Sequence, residues 1–393
     1  MKTNLRHLRV FLGVARTGSV SRAAEEALVS QPAVTQALSK LERLAGQPLF
    51  LRRPQGLFAT RAGEVLKARV SRAFALLDPV LGDLAPRLIL TATAAQLQAL
   101  IATRETENFT LAARRMGLAQ PTVHRAVSQL EQEAGRALFE RTVHGLVATR
   151  AAQALAQAAR LAFAELDQAE ADLADLLGRE VGRIVIGAMP LSRSSLLPQV
   201  IARFRKRRPT LPVRALDGPY ADMMAGLRRG EVDFLIGALR DPAPIGDIVQ
   251  ERLFQDRLQI VARAGHPVLT LPAPTLADLL AYPFVVSPEG APARAEFDRI
   301  TAAVGRPPSL VETGSMILMR ELLRISDHLG CISHTQIVAE IRLGALVSVP
   351  VDLVDTTRPI GLTHRSDWLP TRAQTEFLEE LRAVAADSLE AAP

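Results

Sequence analysis

The chain has 393 residues, 48% hydrophobic and 22% charged, which gives room for two or three domains and enough apolar surface to offset the entropy of ordering them. Cys331 is the one cysteine, and this excludes an intrachain disulfide framework and a cysteine-based zinc site. The net charge of +6 is uneven: residues 1–90 hold 14 Lys/Arg against 6 Asp/Glu, residues 91–180 hold 9 against 11, and the remainder is balanced. A basic first block suits a polyanion partner, although a solvated basic surface would show the same balance.

The opening residues, Met1 to His7, show no apolar h-region or small-residue cleavage site. No stretch approaches the roughly 18 uncharged apolar residues of a membrane span. A soluble, cytoplasmic protein without membrane contact is expected. Aromatics are only 4%, so the cores should be built from Ala, Leu and Val, a mix that favours helices.

Leu5, Leu8, Phe11, Leu12 and Ala15 fall at helical spacing and predict a first amphipathic helix. Ser19 can cap a second helix, in which Ala23-Ala24 allow close helix crossing. A third helix starts at Gln31-Pro32, with proline tolerated in the first turn. Val34, Leu38 and Leu41 form its inward face, and Gln31, Ala33, Thr35, Gln36 and Ser39 its outward face. Leu49-Phe50-x-Arg52-Arg53, a glycine at 56 and Ala59-Thr60-Arg61 then read as a two-stranded wing leading into another helix. That helix should run from about Ala62 to Leu84, with Pro79 kinking or ending it.

The same pattern recurs 89 residues later without a gap. Ala112-Ala113, Gln120-Pro121, Val123, Ser128, Leu130-Glu131, Gly135, Leu138-Phe139, Arg141, Gly145-Leu146 and Ala148-Thr149-Arg150 repeat their counterparts in the first segment. Asn108 takes the capping place of Ser19. The outward face of the second third-helix is Gln120, Thr122, His124, Arg125 and Ser128, over an inward Val123, Val127 and Leu130. Both outward sets are hydrogen-bonding types able to reach base edges in a major groove. Arg52, Arg53 and Arg141 are placed to grip phosphate. In the turn, Gly117 tolerates positive φ where the first copy has Leu28, and Gly63 of the first copy is Ala152 in the second.

On these residues both copies resemble the N-terminal winged helix-turn-helix of the LysR-type transcriptional regulators. Members of that family normally carry one such module. Here it occurs in tandem, with both copies expected to touch DNA through Gln31, Pro32, Ala33, Thr35, Gln36, Ser39, Arg52 and Arg53 and through Gln120, Pro121, Thr122, His124, Arg125, Ser128 and Arg141. A second long stretch, about Ala151 to Leu177, has Leu155, Leu161, Leu166, Leu173 and Leu176 among acidic residues, in a long amphipathic pattern without caps. The resemblance makes it the better candidate for the helix that pairs two subunits, with a buried helix in a monomeric core as the alternative, and Gly178 and Gly182 mark the boundary that follows.

From Arg183 short apolar runs alternate with helical ones: Ile184–Gly187, Val213–Leu216 and Asp233–Gly237 read as strands of a parallel, doubly wound sheet. Leu196-Leu197-Pro198, Gly230-x-x-Asp233-Phe234-Leu235-Ile236 and Ala264-Gly265-His266-Pro267 are similar to the effector domain of the same family. The implied fold is two predominantly helical winged helix-turn-helix domains with linker helices, then a two-lobed α/β effector domain like a periplasmic binding protein. The segments are 1–62 and 91–150 for the heads, 63–90 and 151–180 for the linkers, and 181–388 for the effector domain. Lobe I is about 181–254 with 359–388, and lobe II about 255–358. Carried over by position, the ligand lies between lobes near Ser192, Arg193, Ser194, Pro219, Tyr220, Arg240, Ser287, Pro288, Ser315, Met316 and the segment around Cys331. Serine hydroxyls beside arginine suit an organic acid or another anion.

No nucleotide-binding phosphate loop, zinc-protease pair or serine-hydrolase elbow occurs. His7, His124, His144, His266, His328, His334 and His364 lack ligand spacing. Arg205-Lys206-Arg207-Arg208 reads as a solvated helix end. The expectation is a non-enzymatic regulator without cofactor or metal, with duplex DNA, a small effector, RNA polymerase and further copies of itself (dimer or tetramer) as partners. The alternative is a cytosolic solute-binding protein whose N-terminal modules serve assembly.

Overall fold

The computed structural model describes residues 4–143, 145–243 and 246–390; His144 lies outside them. The chain divides into two compact units, Met1–Gly182 and Arg183–Pro393. In the first, helices α1 (Leu5–Thr17), α2 (Val20–Glu26) and α3 (Gln31–Ala45) precede a hairpin of β1 (Phe50–Arg53) and β2 (Gly56–Ala59), and then α4 (Arg61–Leu84) and the short α5 (Leu88–Thr91). The series repeats as α6 (Ala94–Thr106), α7 (Phe109–Met116), α8 (Gln120–Ala134), β3 (Phe139–Thr142), β4 (Gly145–Ala148) and α9 (Arg150–Asp175).

The repeated motif residues explain the repeated geometry. Ser19 and Asn108 accept backbone N–H bonds at the starts of α2 and α7. Glu42 accepts from the amides of Leu49 and Phe50, and Glu131 from those of Leu138 and Phe139. Each carboxylate thus locks the end of the third helix to the start of its wing. Thr60 and Thr149 cap α4 and α9.

The linker helices narrow the expectation at Pro79 and differ from it in two other ways. Of the two outcomes expected at Pro79, a kink or an end, the end does not occur: α4 runs on to Leu84. A proline inside a helix costs about 3 kcal/mol, but Leu77 and Leu81 on either side of it are fully buried, and burying a leucine contributes about 2 kcal/mol each. The second long helix is capped rather than uncapped. It also does not present a free apolar stripe, because α9 packs along α4 of the same chain, with Leu155, Ala159, Leu166, Ala169 and Leu173 all buried. Arg69, almost wholly buried on α4, donates to Glu165, Gln168 and Asp172 of α9, and Arg72 also reaches Glu165. The helix expected to seek a second subunit has its partner within the chain.

The second unit is built on a nine-stranded sheet. Its first part is β5 (Ile184–Ala188), α10 (Pro190–Ser194), α11 (Leu196–Arg207), β6 (Val213–Leu216), α12 (Tyr220–Arg228) and β7 (Phe234–Ala238). The long β8 (Ile248–Ala262) leads to α13 (Leu276–Leu279), β9 (Phe284–Val286), α14 (Pro292–Thr301), β10 (Leu310–Glu312) and α15 (Met316–Ile325). Then follow β11 (Leu329–Ser333), α16 (His334–Arg342), β12 (Val347–Ser348), β13 (Thr357–Arg365) and α17 (Arg372–Glu390). The strand order is β10-β9-β11-β8-β13-β7-β5-β6, with β12 on β8. Strands β6, β5 and β7 are parallel, as are β10, β9 and β11, while β8 and β13 run antiparallel between the two groups. Separate apolar cores on the two sides define two lobes.

The motif aspartate, Asp233, accepts from the Val185 amide at 2.7 Å and so ties β7 to β5. Burial pushes its carboxyl up to about 6 against those favourable bonds. The basic run at the end of α11 is solvated in part: Lys206 and Arg207 are exposed, Arg207 reaching Glu380, while Arg208 bonds Glu376 of α17 at 2.7 Å and Arg205 turns to the Leu211 carbonyl.

Candidate nucleic-acid interface and effector cleft

On α3, Val34, Leu38 and Leu41 are buried, while Gln31, Pro32, Ala33, Thr35, Gln36 and Ser39 are exposed. On α8, Val123, Val127 and Leu130 are buried; Gln120, Pro121, Thr122, His124 and Arg125 are exposed and Ser128 is half-buried. Neither reading face is masked within its unit. Arg52, Arg53 and Arg141 are exposed on the wings, with the Arg53 guanidinium 5.5 Å from the Phe58 ring.

The two faces are not equally free. His124 lies edge-on against Phe109 at 4.9 Å, which orients its ring. Thr35 donates back to the Gln31 carbonyl. Ser30 caps α3 by accepting from the Ala33 amide, a device Ala119 cannot supply to α8.

In the second unit, Arg240 lies just beyond β7. Its backbone N–H and carbonyl are both held by the Gln250 side chain. Its guanidinium lies 3.8 Å from the centre of the Tyr220 ring and reaches the Gly290 carbonyl of lobe II at 3.5 Å. The Arg240 Nε is buried without a hydrogen-bond partner. Burial pushes the Tyr220 hydroxyl up, and the Arg240 charge acts against that. Helix α10 of lobe I packs against α16 of lobe II. Asp256 on β8 braces the crossover by accepting from Arg358 of β13 and from the Thr335 backbone and hydroxyl.

The other carried-over residues divide. Pro219 is exposed at the start of α12, and Ser287 and Pro288 leave β9, Pro288 lying near Gly314. Ser192 is buried and donates to the Met189 carbonyl. Ser194 is half-buried at the end of α10, and Arg193 pairs with Asp217. Ser315 caps α15, and Met316 packs on the lobe II core with Met319 and Leu323. Cys331 does not belong to the cleft. It sits in the core of lobe II, where burial pushes its thiol up to about 12, out of reach of thiolate chemistry. Its flanking histidines are engaged separately, His328 with Ser326 and His334 with Gln259. Ser333, whose fully buried hydroxyl at the end of β11 has no hydrogen-bond partner, and Gln250, which holds Arg240, are not among the residues the sequence singles out. A serine closing a strand before a helix was the available signal for the former.

Residues 177–386 match the model of the LysR substrate binding domain, and residues 5–64 and 94–153 each match that of the bacterial regulatory helix-turn-helix protein, lysR family. The chain belongs to the LysR family. It is a DNA-binding transcriptional regulator with an effector-binding domain, in a family of regulators rather than enzymes. The HTH-type transcriptional regulator GalR of Pseudomonas putida is 36% identical over 386 residues, 97% of each chain. The uncharacterized regulator YdcI of Escherichia coli is 32% identical over 93% of this chain and 91% of its own. Among solved structures, full-length LysG from Corynebacterium glutamicum with bound effector Arg shares the fold at a TM-score of 0.54 and 21% identity, covering 74% of this chain and 97% of that one. A full-length OxyR variant from Pseudomonas aeruginosa does so at 0.52 and 20%, covering 74% and 93%. Among the described residues no helix is long and apolar enough to cross a membrane.

Proposed function

We propose that this cytoplasmic LysR-type regulator reads DNA through both α3 and α8 and responds to an anionic organic effector held between the lobes of its second unit. The observation that carries the first part is the pair of polar, exposed third-helix faces, each over a buried apolar face and each followed by a wing with exposed arginine. Arg125 suits the O6/N7 edge of guanine and Gln36 the N6/N7 edge of adenine. The wing arginines supply sequence-independent phosphate contacts. The regulator acts as a homo-oligomer, and RNA polymerase is its further partner at the promoter.

The effector reading rests on Arg240, with its unpartnered Nε, its face-on contact with Tyr220 and its reach toward Gly290. A carboxylate would accept from that guanidinium in a charge-assisted bond. Closure of the lobes around it would bias how the oligomer presents its heads to DNA.

Gel shifts of the full chain on DNA upstream of its own gene test the first part. Binding should fall steeply with salt and survive competition by unrelated duplex, and Gln36→Ala and Arg125→Ala should each weaken it. Calorimetric titration with small organic acids and with sulfate tests the second. Heat from an organic acid that disappears in Arg240→Ala supports it; equal binding by that variant removes Arg240 from the site.

A further inference from the structure

The two modules of the first unit are arranged about an internal approximate two-fold axis, and the contacts across it occur at positions related by the 89-residue repeat. Gln47, just after α3, donates to the carbonyl of Leu173 near the end of α9 at 3.1 Å. Its counterpart in the second module is Arg136, just after α8, which donates to the carbonyls of Asp83 and Leu84 at the end of α4, at 2.8 and 3.5 Å. Leu84 is the counterpart of Leu173. Each module therefore touches the far end of the other module's linker helix at equivalent places, to within one residue.

The same contacts fix the direction of the pair. The start of α4 lies beside its own wing, since Thr60 donates its amide to Leu49, two residues beyond Gln47. The end of α9 meets that place. The start of α9 lies beside the second wing through Thr149 and Leu138, where the end of α4 arrives. The helices are antiparallel with one module at each end.

A two-fold rotation preserves direction along its own axis, so this arrangement brings both third helices to equal height along it. Helix α4 has 24 residues, about 36 Å at 1.5 Å per residue. Paired helix-turn-helix readers meet half-sites about 34–36 Å apart, one turn of duplex.

The symmetry does not extend to the chemistry. Arg69 and Arg72 correspond to Ala158 and Leu161 in α9, and Glu165 and Gln168 to Leu76 and Pro79 in α4. The arginines, Arg69 buried and Arg72 half-buried, sit on one helix and their carboxylate partners on the other. A pair of α9 helices from two chains would bury Glu165 without either arginine, so α4 and α9 are made for each other. The reading faces differ as well, Thr35 and Gln36 standing where the second module has His124 and Arg125.

We propose that a single chain forms a complete two-sided DNA reader, and that its operator element has two unlike halves about one helical turn apart, one met by α3 and the other by α8. This rests on the DNA-reading role given above and specifies the form of the site.

The test is selection of random duplexes by the full chain, followed by binding measurements on the enriched sequence. The expected element is non-palindromic, with halves spaced about 10 base pairs centre to centre; a homo-oligomer repeats that element without making either copy palindromic. Gln36→Ala should lower discrimination at least about fivefold in one half only, and Arg125→Ala in the other half only. Five base pairs inserted between the halves turn one half to the opposite face of the duplex, and this should lower wild-type affinity at least about tenfold; the last measurement needs no variant. A palindromic element, or both variants relaxing the same positions, would overturn the proposal while leaving DNA reading intact. Unchanged affinity for the lengthened site would also overturn it. Enrichment of no sequence at all would overturn DNA reading itself and the proposal with it.

Discussion

The two head modules share a framework and differ in how they secure it. Both place a glutamate, Glu42 or Glu131, on two amides at the mouth of the wing. Both have glycine with positive φ after the third helix (Gly46, Gly135) and in the wing turn (Gly56, Gly145). Elsewhere they diverge at equivalent positions. The ion pair between the first two helices is Arg16–Glu26 in one module and Glu105–Arg115 in the other, with the signs exchanged. In the second, Glu105 also holds Arg160 of the linker helix; in the first, Arg9 performs that tie by pairing with Asp78 while lying over Phe74. Where the backbone leaves two amides to satisfy, and at these two glycine turns, both modules use one answer. Where a charge pair is needed, either polarity works.

The largest expected effect breaks the asymmetry of the linker pair. Glu165→Ala would take from the buried Arg69 the carboxylate it shares with Arg72 and leave it Asp172 at 2.8 Å, so the cost should be about 3 kcal/mol, the low end for losing one partner of a buried pair. Leu76→Ala, the counterpart on α4, removes a half-buried leucine and should cost about 1 kcal/mol. Denaturant unfolding of the full chain, followed through the first unit, checks the ratio; equal losses would mean that the ion network does not hold the pair.

Next comes the junction of wing and linker. A Cβ at Gly63 would stand 2.2 Å from the Leu49 carbonyl oxygen, so Gly63→Ala should destabilise the first module by about 3 kcal/mol. The reverse change in the second module, Ala152→Gly, should cost about 1–2 kcal/mol through helix propensity and the loss of a fully buried methyl. The modules route this junction differently: the Thr60 hydroxyl bonds the Pro48 carbonyl, whereas that of Thr149 bonds Leu138, one residue further on. The shared glutamate should respond evenly, Glu42→Ala and Glu131→Ala each leaving two amides unpaired at about 2 kcal/mol. Urea titration of both variants would expose any inequality.

Much of this was legible in the sequence, because the 89-residue repeat carries its own check. A turn, cap or apolar position read in one module is tested by its counterpart, which is why Ser19 and Asn108, or Val34 and Val123, could be placed from residues alone. The partner of an amphipathic helix could not be read that way. Periodicity in α9 reveals a stripe to be covered, but not that α4 covers it, and local propensity at Pro79 is outweighed by leucines whose burial is known only from the fold. The cleft was legible only by position. Arg240 stands out once Tyr220 and Gly290 are seen around it, whereas Ser192 and Ser315 spend their hydroxyls on neighbouring backbone. A serine in a loop gives the same signal in both cases.

The smallest effects come from two strained turns, one in each module. Leu28 has φ 52 where the second module has Gly117 at φ 67, and Glu107 has φ 49 where the first has Gly18 at φ 64. Non-glycine residues carry about 1–2 kcal/mol of strain in the left-handed region, and glycine gives part of that back through its freer unfolded chain. Leu28 is 81% exposed and Glu107 is exposed, so little packing is lost by removing either side chain. Leu28→Gly and Glu107→Gly should each stabilise the first unit, by about 1 kcal/mol or slightly less, raising its denaturation midpoint without changing the slope. If only Leu28→Gly does so, the acidic side chain at Glu107 is contributing through its charge. The neutral Glu107→Gln would then lower the midpoint, and that contribution would be the reason the second module tolerates the strain.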